Sequence, residues 1–123
     1  MKRNKQSHGG SIAEIKARLR RFAVERDWDQ FHSPKNLSMA VAAEAAELLE
    51  HFQWLTEEQS RTLPSEKRKA VALELADILI YLVRLSDKLD LDLFAAVSEK
   101  IQINELRYPS ARVRGSPKKY TEY

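Results

Sequence analysis

The sequence predicts an all-α protein: a bundle of four to five helices, completed by packing against further copies as a dimer or tetramer. Three observations carry that expectation. Apolar residues recur three and four apart through each long segment, and no stretch alternates with the period of two that a half-buried strand requires. Helix-starting residues (Ser11, Thr56, Asp90 or Asp92) precede the periodic runs, while Pro64 and Pro109 punctuate them. Between Val71 and Leu85 only Glu74, Asp77 and Arg84 are not apolar. A helix apolar nearly all round must be covered on nearly every side, which one small bundle cannot do alone.

Residues 1–10 read as a flexible leader, broken at His8-Gly9-Gly10, with Ser11 as the first N-cap. From Ile12 to about Arg26, Ile12, Ile15, Leu19, Phe22 and Ala23 form one helical stripe. Residues 27–36 read as a loop with two aromatics, Trp28 and Phe31, and a histidine, His32; such residues in a polar connection point to function rather than core. The second helix is expected from Asn36 or Leu37 to Phe52 or Trp54, its alanines at 40, 42, 43, 45 and 46 permitting close packing. Thr56-Glu57-Glu58-Gln59 has the form of a capping box opening a short helix. A long helix follows from about Ser65 to Leu89, and a last one ends near Arg107. The folded domain therefore spans residues 11–109, and residues 110–123 form a basic tail.

At 123 residues, with 43% hydrophobic and 32% charged residues, the chain is one ordinary globular domain and not a disordered one. The absence of cysteine excludes disulfides, zinc–thiolate sites and thiol nucleophiles, and fits a reducing cytoplasm. The basic opening lacks the apolar stretch of a signal peptide, and the acids inside the longest apolar run argue against a membrane span. Much of the net charge of +3 lies in the two ends, which read as solvated tails rather than nucleic-acid contacts.

Glu44 and Glu47 lie three apart in one helix, and Glu74 and Asp77 repeat the spacing in another. Residues three apart share a helix face, so each pair can aim two carboxylates at one point. Glu44 falls among Leu37, Ala40 and Leu48, and Glu74 among Ile78, Tyr81 and Leu85; Glu47 lies at the border of its stripe. Acids on apolar faces need a positive partner, and an oxygen-only set suits a hard cation such as Mg²⁺, with Mn²⁺ as a substitute. A di-iron bundle would need Glu-x-x-His pairs. Here the position three before His51 is Leu48, so that chemistry is excluded.

The run from Glu25 to Leu37, containing Asp27-Trp28-Asp29-Gln30-Phe31-His32-Ser33-Pro34, leads into the acidic helix ending Glu50-His51-Phe52-Gln53-Trp54. Together with Glu74-Leu75-Ala76-Asp77 and Lys100-Ile101-Gln102-Ile103-Asn104, it resembles the MazG-like nucleoside triphosphate pyrophosphohydrolases, in the small branch that includes the dCTP pyrophosphatases. The resemblance covers about Ile12 to Arg112. It implies a helical fold paired into dimers or dimers of dimers, and hydrolysis between the α and β phosphates of a triphosphate. It further implies Glu44, Glu47, Glu74 and Asp77 as magnesium ligands, with Glu47 and Glu74 central to catalysis. Trp28, His32, Trp54 and Tyr81 would line the base pocket, and Lys100 and Asn104 would contact substrate. Arg84, Lys35 and Arg107 are further cations that could face pyrophosphate. One position departs: members active on dCTP can carry a histidine nine residues before the loop tryptophan, where this chain has Leu19. That weakens strict cytosine specificity and admits a broader triphosphatase. A non-catalytic helical interaction module with basic nucleic-acid-binding tails is the alternative from a different class.

Overall fold

A computed structural model of the chain describes residues 10–122; the expected leader lies outside the described residues except for Gly10. Among the described residues the regular structure is entirely helical. The all-α expectation holds. Chain contacts divide it into two compact units, one ending at Asp90 and the other beginning at Leu91.

In the first unit, α1 (Ile12–Glu25) begins where the Ser11 hydroxyl accepts a hydrogen bond from the Glu14 N–H at 3.2 Å. Its end is a Schellman turn. The Trp28 N–H donates back to the Ala23 carbonyl at 2.9 Å and the Asp27 N–H to Val24 at 3.1 Å, with Asp27 left-handed at φ 53°. Aspartate tolerates that conformation better than most residues. The turn brings the Trp28 ring edge-on to Phe22, centroids 5.7 Å apart, closing the helix end with an aromatic contact.

After a short 3-10 turn at Asp29–Phe31, α2 (Pro34–Glu50) starts two to three residues before the expected Asn36 or Leu37. Ser33 caps it by accepting from the Asn36 N–H at 3.1 Å, and Pro34 fits the first turn, where its missing N–H costs nothing. At the other end, His51 and Phe52 donate to the carbonyls three residues back, at 3.2 and 2.9 Å, so the chain tightens and leaves the α-helix before Trp54. The short α3 (Glu57–Arg61) carries the expected capping box between Thr56 and Gln59. The long α4 (Ser65–Lys88) packs chiefly on α2 and secondarily on α1.

Each of these helices supplies one residue to the core: Ala23 of α1, Leu37 of α2 and Val83 of α4 are each about 1% exposed. The outer side of α4 is different. Leu73, Leu75, Leu79 and Leu82 remain 36–62% exposed in the single chain, as expected for a helix that its own bundle cannot cover. In the second unit, α5 (Leu93–Arg107) is capped by Asp92, whose carboxylate accepts from the Ala95 N–H at 3.0 Å. The expected tail contains a short α6 (Ser110–Val113) and a 3-10 turn at Tyr120–Glu122. Among the described residues no helix is long and apolar enough to cross a membrane.

Candidate active site

The packing of α2 on α4 brings acids 30 residues apart in sequence to one point. Glu44, Glu74 and Asp77 each place a carboxylate oxygen so that all three lie within 4.8 Å of one another. Glu44 Oε2 and Glu74 Oε2 are buried with no hydrogen-bond partner. Burial first, then the neighbouring Glu74 and Glu47 carboxylates, raises the Glu44 pKa to about 7. A fold that buries two carboxylate oxygens without partners and crowds a third beside them is set up for a positive ligand. The donors are all oxygen, so the residues fit a hard divalent cation. Glu47, one turn beyond Glu44, stands outside this close group on an exposed face, though it is near enough to raise Glu44.

Beside the acids lies a cavity of about 360 Å³, lined by Leu19 and Phe22 of α1, Trp28 and His32 of the connecting loop, and Asp77, Ile80, Tyr81 and Arg84 of α4. Asp77 belongs to both the cavity wall and the acidic group, so the two form one site. The α4 residues follow helical spacing along one face. Three of the four residues expected to hold a base, Trp28, His32 and Tyr81, thus converge. Trp54 does not join them: it is 87% exposed, beyond the end of α2. Lys100 and Asn104 lie on α5 of the second unit, both exposed.

Arg84, one of the cations that could face pyrophosphate, lines the cavity yet is buried, the residue being 3% exposed, and it is engaged with the loop. Its Nε and Nη2 donate to His32 Nδ1 at 3.3 and 3.2 Å, and the same Nη2 donates to Asp29 Oδ1 at 2.9 Å. Asp87 approaches it from the next turn at 3.6 Å. Lys88 joins Asp29 at 2.6 Å, and Arg20 of α1 grips Asp87 through two hydrogen bonds of 2.7 and 2.5 Å. Hydrogen bonds from Lys88 and Arg84 hold the Asp29 carboxyl below its ordinary range. Burial, and then the Arg84 charge, lowers His32 and keeps its imidazole neutral further into acid.

Sequence reasoning missed this network. One signal was available: a charged residue inside an apolar run is seldom buried unpaired, and Asp87 follows Arg84 by three. The partnership with Asp29 and His32, more than fifty residues away, left no such trace.

The chain matches the MazG-like family over residues 39–123. It is 44% identical to dCTP pyrophosphatase 1 of Homo sapiens over 114 residues, covering 91% of this chain and 67% of that protein. The rat protein of the same name is 41% identical over the same span. Among solved structures, a pyrophosphatase from Archaeoglobus fulgidus superposes with a TM-score of 0.76 at 37% identity, covering 80% of this chain and 92% of that one. With a family match over more than half its length and relatives this similar, the chain belongs to the MazG-like family.

Proposed function

We propose that this protein hydrolyses dCTP or a modified dCTP to the monophosphate and pyrophosphate, in a reaction that depends on Mg²⁺ and serves to clear the nucleotide pool of the cytoplasm. Its enzyme class is nucleoside triphosphate pyrophosphohydrolase, in keeping with the pyrophosphatases it resembles. The observation that carries the proposal is the adjacency of the acidic group to an aromatic cavity, with Asp77 common to both. A base stacked against Trp28 within that cavity would direct its phosphates toward the acids.

Glu44, Glu74 and Asp77 would hold the cation, with Glu47 completing the set from its exposed position. Bound there, the cation supplies charge neutralisation for the triphosphate and polarises its phosphoryl oxygens. Glu47 is the acid best suited to take the proton of the attacking water, because it is outside the crowded group and open to solvent. Glu74, from α4, would serve catalysis as a ligand of the cation. Trp28, His32 and Tyr81 bind the base, and Trp54, Lys100 and Asn104 are assigned to substrate on the resemblance alone. The exposed leucines of α4 support a homodimer or homotetramer, in which these residues are covered.

Release of pyrophosphate from a panel of triphosphates with Mg²⁺ tests the activity. dCTP should be turned over fastest. No release from any nucleotide by folded protein would overturn the proposal and favour an interaction module instead. Leu19 in the cavity wall favours a second reading, a triphosphatase of broad base preference, and equal rates across the panel would select it.

A further inference from the structure

Arginine carries five N–H donors and no acceptor, and it keeps its charge at every accessible pH. Its approach to His32 Nδ1, from both Nε and an Nη, therefore leaves that nitrogen one role only: acceptor through its lone pair. A neutral imidazole that accepts at Nδ1 carries its proton on Nε2. The guanidinium has little freedom to let go. Asp29 holds it from the loop at 2.9 Å, Asp87 flanks it from the next turn of α4, and its side chain is 4% exposed. Arg20 and Lys88 in turn fix those two carboxylates.

We propose, within the nucleotide pocket assigned above, that Arg84 is a positioning residue that locks His32 as its Nε2–H tautomer, so that His32 offers the nucleobase a donor and no acceptor. The base must then present a lone pair there, a carbonyl oxygen or an unprotonated ring nitrogen. An exocyclic amino group at the same place would leave two donors facing one another. Leu19, Phe22 and Ile80 make the α1 side and part of the α4 side of the wall apolar, so polar selection of the base falls to His32 together with Trp28 and Tyr81. A lysine in place of Arg84 could not span His32 and Asp29 with the same planar fork.

The test is a long-range proton–nitrogen NMR spectrum of the ¹⁵N-labelled full chain at neutral pH, with the His32 signals assigned by their loss in His32→Gln. The expected result is a proton on Nε2 and a bare Nδ1. A proton on Nδ1, or on both nitrogens, overturns the proposal, and this wild-type reading stands even if a variant fails to fold. In Arg84→Lys the Nδ1–H form should appear and KM for the preferred triphosphate should rise about tenfold, the equivalent of one lost hydrogen bond, with kcat changing less. His32→Gln, which keeps an N–H donor, should raise KM less than His32→Leu. An unchanged tautomer and KM in Arg84→Lys would show Arg84 to be structural only. Absence of triphosphate hydrolysis would refute the activity proposed above, while the spectrum would still decide the tautomer.

Discussion

Glu44 and Glu74 contribute to the fold in a direction opposite to their use in the site. Their partnerless buried oxygens, close to each other and to Asp77, make the cation-free protein less stable than an amide in the same place would. Glu74→Gln is expected to cut turnover by about a hundredfold or more, roughly 3 kcal/mol of barrier, in steady-state assays. The same variant should melt no lower than wild type in chelator, and should lose the rise in melting temperature that Mg²⁺ gives the wild type. A fall in chelator would refute the crowding of the acids. Asp87 predicts a pH effect. The Arg20 hydrogen bond outweighs burial and lowers the Asp87 pKa from its ordinary 3.8. A carboxyl lowered in the folded state contributes stability that is present above its unfolded value and lost as pH falls through the folded one. Melting temperature below about pH 4 should thus fall more steeply in wild type than in Asp87→Asn.

Among the elements, the helices and their caps were legible because they are local. Ser11, Thr56 and Asp92 cap the helices they precede, and α4 and α5 end within about one residue of their expected limits. The start of α2 was placed late because His32-Ser33-Pro34 reads as a loop, whereas Ser33 and Pro34 are an N-cap and a first helical residue. The site was legible in part for the same reason. Glu44, Glu74 and Asp77 follow from spacing within helices, but the burial of Arg84 depends on a loop that returns to α4. Trp54, which the resemblance alone assigns to the base, lies beyond the end of α2 at Glu50 and is not among the residues lining the cavity. Leu37 is the fully buried residue of α2. Leu37→Ala should cost about 3 kcal/mol in urea unfolding, and a loss below about 1 kcal/mol would mean that Leu37 is not packed in the core.

For the whole molecule, three buried apolar residues among the described ones are a small core. Covering the outer face of α4 would add apolar burial that the single chain lacks. If copies associate there, the melting temperature will rise with protein concentration, and sedimentation will show a species larger than 14.2 kDa. A charged pair, Leu75→Lys with Leu79→Lys, on residues now 53% and 46% exposed, should dissociate that species. A concentration-independent melting temperature and a monomer in solution would refute the association.

The turn that ends α1 also equips the protein with an optical reporter. The chain has two tryptophans, and the structure exposes them to different degrees. Trp28 is held edge-on to Phe22 in the cavity wall and is 47% exposed, while Trp54 is 87% exposed. An aqueous quencher should therefore reach Trp54 more readily than Trp28, one side of which is taken by Phe22. In Trp54→Phe the remaining indole would report the arrival of a base directly, by its own light.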